Sequence, residues 1–287
     1  MRSMPRSTAD RVRPPRGWGQ ELRAEALSAL AALRLGFVAT LAAWPALLGR
    51  MVFYAVCLLV IGAFWRTVGI ARLPAALASR LPAGGLVDYV RVTEWITLSV
   101  VPVHIAIEEE VRSGAVEARL LRPRSWLVLE GARAIGGTFA RLVAVGLMGL
   151  LLLALSGEWP APAGLAQAAL LAPGGLFIGI ELFLLVGLTA FWLRRVMPAM
   201  LICQKLMFLL GGLFAPIALY RGWFHALAAA SPFAAHLNDA GEAMIDPSWI
   251  GLAGSLASQA VWTLLLGLII WTTATAALAK LRREGVG

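Results

Sequence analysis

The feature that most constrains this chain is the stretch between Asp246 and Lys280, which contains no charged residue. A bilayer-spanning helix needs about 20 apolar residues, so this stretch alone is long enough to cross a membrane. Further uncharged runs fill 35–49 and 51–65, separated only by Arg50. Across all 287 residues, 60% are hydrophobic and 14% charged, against about 25% charged in soluble domains. No soluble core of this size hides so much apolar chain, which excludes an ordinary soluble enzyme and a disordered protein. The expected fold class is an all-α integral membrane protein with six transmembrane helices. The spans are expected at about 47–68, 86–107, 138–156, 166–192, 197–216 and 250–279, together making a transmembrane domain over 47–287.

Residues 1–18 form a basic stretch read as a cytosolic tail, because no apolar segment with a small-residue cleavage site follows at once. Residues 19–46 read as an amphipathic helix lying in the membrane interface. Leu22, Ala26, Leu30, Leu33 and Phe37 share one stripe, opposite Glu21, Glu25 and Ser28. Arg50 is expected to snorkel to the inner surface. With both termini cytosolic, 19 basic residues lie inside and 4 outside, as the positive-inside rule requires. The same rule accounts for the net charge of +9 without nucleic acid.

No phosphate-binding loop, nucleophile elbow or zinc-protease motif occurs, so no catalytic residue and no cofactor is assigned to this chain. Cys57 and Cys203 lie apart in apolar runs. His104 and Glu108 are one helical turn apart, but no third metal ligand accompanies them, and no metal is expected.

The most informative hydrophilic stretch is I-E-E-E-V-R-S-G-A-V-E-A-R-L-L-R-P-R, residues 107–124. It reads either as a solvated loop or as a short amphipathic helix that docks a cytosolic partner, with Val111, Ala115 and Ala118 on its apolar side. The segment 217–247 holds Trp223, Phe224 and Phe233 but cannot span, because Pro232 interrupts it. Two short helices dipping into the outer leaflet satisfy both its apolarity and its length.

Two of these stretches resemble a known family. Ser113, Gly114, Leu120, Leu121, Arg122 and Pro123 are similar to a signature loop of bacterial six-span permeases of the type-2 ABC exporter class. Gly212, Phe214, Pro216, Trp223, Pro232 and Phe233 resemble the end of that family's fifth span and the outer segment after it. The resemblance implies an interfacial N-terminal helix, a coupling helix between spans 2 and 3, and re-entrant helices after span 5. It implies two permease subunits, identical or homologous, docked to ABC ATPase subunits that bind ATP and Mg. ATPase coupling would then fall to Glu108, Glu109, Glu110, Arg112, Ser113, Gly114, Glu117, Leu120, Leu121, Arg122 and Pro123. An outer gate would comprise Pro216, Trp223, Phe224, Pro232 and Phe233. The location implied is the bacterial cytoplasmic (inner) membrane.

Charges inside spans are costly. Asp88, Arg91 and Glu94 follow at i, i+3 and i+6 and are expected to neutralise one another. Gln204 and Lys205 lie in span 5 and Glu181 in span 4. Counting from the inner turn puts Glu181 about 18 Å deep and Lys205 about 12 Å deep, and the two are expected to pair. The function that follows is an ATP-driven exporter permease for a hydrophobic or amphipathic substrate. An ion-coupled transporter using Glu94 or Glu181, or a membrane-embedded enzyme or anchor, is the alternative.

Overall fold

The computed structural model describes residues 18–68, 84–120, 126–193 and 195–284. The basic tail before Trp18, residues 69–83, and Leu121, Arg122 and Pro123 lie outside the described residues. Among the described residues all regular structure is helical.

The chain runs through α1 (Trp18–Ala42), α2 (Trp44–Val68), α3 (Gly85–Ser99), α4 (Val103–Arg112), α5 (Ala115–Leu120), α6 (Trp126–Ser156) and α7 (Pro162–Leu188). It continues through α8 (Met197–Leu210), α9 (Gly222–Ala229), α10 (Asp239–Ile245) and α11 (Trp249–Glu284). A π-helical turn, Ala234–Asn238, leads into α10. Six segments are long and apolar enough to cross a membrane: Leu22–Ala42, Trp44–Thr67, Gly85–Arg112, Trp126–Ser156, Pro162–Phe191 and Trp249–Arg283.

The count of six agrees with the sequence reading, but its membership differs. The expected span 197–216 is only the 14-residue α8, about 21 Å long. It stops where Gly212 takes φ 66° and turns the chain, a conformation that glycine adopts without a Cβ clash. The first segment, by contrast, is long and apolar enough to be counted. α1 and α2 are almost one helix. Ala43 N bonds Ala39 O and Leu47 N bonds Ala43 O, both at 3.1 Å, so the chain passes through Ala43 beside Pro45 without a hairpin. The face of α1 that packs on α6 takes in only part of the expected stripe, Leu33 and Phe37, the latter with its ring 6.1 Å from that of Phe139. Gly36, Leu33 and Thr40 meet α6, where a Cβ on Gly36 would collide with Arg133 O and one on Gly136 with Leu33 O. Leu22, Leu27 and Leu30 face outward. Small residues let the two backbones approach, and the large apolar ones are left for the surroundings.

α6 begins at Trp126, well before the expected 138, and its 31 residues make about 46 Å. That exceeds a hydrocarbon core of about 30 Å, so part of α6 must lie beyond the core; its first turns pack beside α1. α7 is the central helix. Two thirds (67%) of its apolar window is buried inside the chain, against 6% for α1. α3 and α4 pack against it, as do α10 and α11. Close approach is again set by glycine: a Cβ on Gly187 would come 2.8 Å from Ile107 Cδ1 and 3.1 Å from His104 Cα.

Candidate functional site

The charged stretch after the second expected span folds as helix, tight turn, helix. α4 ends when Ser113 N and Oγ both bond Glu109 O, at 2.9 and 2.7 Å. Gly114 follows at φ 72°. No neighbouring atom would meet a side chain there, so the backbone conformation alone calls for glycine. α5 then starts, and its anchor is Val116, 1% exposed in the main core. Neither Val111, which is only partly buried, nor Ala115, which is exposed, takes that place. Trp126 Nε1 donates to Glu110 Oε2 at 2.6 Å, and the same indole lies edge-on to Phe191 at 6.2 Å. The three glutamates therefore differ. Glu110 ties the element to α6, Glu108 is half-buried, and Glu109 is exposed. Arg112 lies 3.8 Å from Glu109 in a pair exposed on both sides, worth about 0–1 kcal/mol. Glu117 is exposed. Leu120 ends α5.

Above this element the span is broken. α3 stops at Ser99, and Val100, Val101 and Pro102 precede α4. Pro102 has no N–H and disfavours helix in the residue before it. The backbone groups freed by the break are met by side chains from two other helices. Arg50 donates to Leu98 O at 3.0 Å, Arg141 donates to Val100 O at 2.9 Å, and Val101 N donates to Thr138 Oγ1 at 3.1 Å. Arg50, expected only to snorkel, thus also satisfies a carbonyl inside the bundle. Two cations at the C-terminus of α3 also match its macrodipole. No local motif around Arg50 or Arg141 points to this role; Pro102 was the one available signal.

At the other end, the segment after α8 is held by α3. The Tyr89 hydroxyl donates to Gly212 O at 2.7 Å, with Asn238 Oδ1 at 3.0 Å, and Thr93 Oγ1 donates to Leu213 O at 2.7 Å. Asn238 Oδ1 also accepts from Ile217 N at 3.0 Å. The π-helical turn sits against the Gly175–Gly179 groove of α7, and His236 Nδ1 lies 2.7 Å from Gly175 O. Gln259 of α11 bridges Leu171 O and Ala235 O at 3.1 Å each. Asp239 and Glu242 line a cavity of about 300 Å³. Burial, then the charge of Glu242, pushes the Asp239 carboxyl up to about 7.

Residues 89–285, more than half of the chain, match the family described as ABC-2 family transporter protein. The chain belongs to that family. No curated protein matches it. It is therefore a multi-pass ABC-2 permease subunit, a membrane component of the kind that associates with ABC ATPases.

The permease places its intramembrane charges differently from the expectation. Asp88 and Arg91 form an ion pair, but Glu94 is not part of it and is buried on α3. Glu181 and Lys205 do not pair. Glu181 is 5% exposed, faces α11 near Gly267, and keeps Oε2 without a partner. Lys205 is exposed, with Nζ 5.8 Å from the Phe208 ring, and Gln204 beside it is half-buried. The depth count was one-dimensional; the two side chains leave their helices in different directions. In the outer segment Trp223 is 77% exposed, and Phe224, Pro232 and Phe233 are half-buried. Pro216 opens the 3-10 turn Ile217–Leu219.

Proposed function

We propose that this ABC-2 permease is the membrane half of an ATP-driven exporter in the bacterial cytoplasmic membrane, with both termini cytosolic. It moves a hydrophobic or amphipathic substrate outward. The observation that carries this reading is the α4–turn–α5 element. It ends in exposed charge at Glu109, Arg112 and Glu117, yet it is anchored in the core by Val116 and tied to α6 through Glu110 and Trp126. A docked ATPase that displaces α5 would move α4 with it. The close crossing at Gly187 then passes that motion to α7, the centre of the fold. ATP and Mg belong in this reading to the ATPase partner.

This reading takes α8, 14 residues long, together with the turn after it up to Pro216 as the fifth of six crossings, which keeps both termini on one side with α1 at the interface. One feature supports a second permease subunit beside this one: α8 exposes Lys205 among Leu201, Ile202, Leu206 and Leu209, all exposed. A lysine at membrane depth is costly unless a polar surface covers it. The reading places that interface at the inner face, with the first turns of α6 beside α1 as the part beyond the hydrocarbon core. The re-entrant α9 and the π-helical turn form the outer gate.

The test is ATPase capture. Glu109→Lys combined with Glu117→Lys reverses two exposed charges and touches no buried contact. Capture of the cognate ATPase by the inserted permease should fall about tenfold or more. Unchanged capture would overturn the coupling assignment.

A further inference from the structure

A cavity of about 290 Å³ lies between α1, α2, α4 and α6, beside the break in the span at Val101 and Pro102. At about 30 Å³ per water, it holds the volume of about ten waters. Its polar lining is Arg50, Arg133, Arg141, Glu130 and the Thr40 hydroxyl. Glu130 is buried and pairs with Arg133 at 3.6 Å. Arg50 and Arg141 have no carboxylate partner among the described residues, and they lie near enough for their charges to repel. Each guanidinium carries five N–H donors, and each uses NH1 on a carbonyl of the α3 end. Val103 and Ala106 bring the first turn of α4 to the same wall, with its N-terminal dipole end toward the cavity.

The depth is informative. Arg141 is about 22 Å along α6 from Ser156, and Arg50 about 26 Å along α2 from Thr67. In a core of about 30 Å, both guanidiniums lie just inside the inner boundary, within side-chain reach of the headgroup layer. Two like charges there, without a counter-ion, are unfavourable unless an anion joins them. Among the described residues the one carboxylate of the lining, Glu130, is paired with Arg133, and an abundant anion at that depth is lipid phosphate. Arginine matches phosphate oxygens with paired N–H donors, and basic pockets between membrane helices on the cytosolic side suit anionic headgroups.

We infer that the Arg50–Arg141 cavity binds the phosphate of an anionic inner-leaflet phospholipid, which completes the charge balance of the broken span. The inner-leaflet part rests on the orientation proposed above. Lipid bound there would stiffen the joint between α3 and α4, the joint through which α4 and α5 would pass motion to the bundle.

The experiment uses the full chain in neutral detergent, melted with phosphatidylglycerol, phosphatidylcholine or inorganic phosphate. Phosphatidylglycerol should stabilise at about tenfold lower concentration than phosphatidylcholine. Ala46→Glu places a carboxylate at the cavity one turn from Arg50 and leaves both carbonyl bonds in place. It should raise the lipid-free melting temperature and abolish the preference for phosphatidylglycerol. Ala46→Phe, which fills the cavity without charge, should abolish the preference without that rise. Equal stabilisation by both lipids, or a preference that survives both substitutions, would overturn the site. A full shift with inorganic phosphate alone would assign it to a soluble anion and overturn the lipid. Detergent has no sidedness, so an error in the proposed orientation leaves these outcomes unchanged and is detected separately by labelling the termini in cells.

Discussion

Replacing Trp126 with Phe removes one N–H and little else. The indole is 6% exposed and packs edge-on to Phe191, and a benzyl ring keeps much of that contact. What is lost is the 2.6 Å bond to Glu110 Oε2. Hydrogen bonds to charged groups contribute about 1.5–3 kcal/mol. Glu110 is only half-buried and has a further interaction, which leaves about 1–2 kcal/mol. That corresponds to a factor of about 5–30 in the population of conformations in which the α4–turn–α5 element separates from α6. Hydrogen–deuterium exchange over residues 108–117 should speed up by that factor in Trp126→Phe, with α3 unchanged. A double-mutant cycle with Glu110→Gln should give a coupling energy of about 1 kcal/mol. Exchange equal to wild type, or losses that simply add, would refute the idea that this bond latches the element.

Three further outcomes are expected. Glu181→Gln and Lys205→Met should change thermal stability additively, within about 0.5 kcal/mol, because the two residues do not touch; a strong coupling would contradict the packing of Glu181 toward α11. Asp239 titrates near 7 because burial, then Glu242, disfavours its charge, whereas an unfolded aspartate titrates near about 3.9. The folded state then binds more protons between these values, so stability should fall as pH rises from about 4 to 7; Asp239→Asn should flatten that slope, and an unchanged slope would remove Asp239 as its source. Cysteine at position 226, exposed on α9, should resist a membrane-impermeant thiol reagent while cysteine at exposed position 246 reacts; equal labelling would make α9 an ordinary water-facing helix.

The sequence by itself determined the features that depend on local chain chemistry. The uncharged run from Pro247 to Ala279 specifies a span wherever it packs, because the cost of charge in hydrocarbon does not depend on neighbours. Ser113-Gly114 and Pro232 likewise mark turns through their own backbone preferences, and Asp88 with Arg91 pairs within one helical turn. Tertiary structure alone decided what meets what. Periodicity identifies a stripe on α1, yet whether the large or the small residues face inward depends on how closely α6 approaches, and that is decided by Gly136 more than a hundred residues away. The same holds for Glu181, whose depth followed from counting but whose direction depended on the rotation of α7. Arg50 and Arg141 are the clearest case. Their chain neighbours are apolar, and their role exists only because Pro102 breaks a third helix beside them and leaves carbonyls that must find donors inside a membrane, where water supplies none.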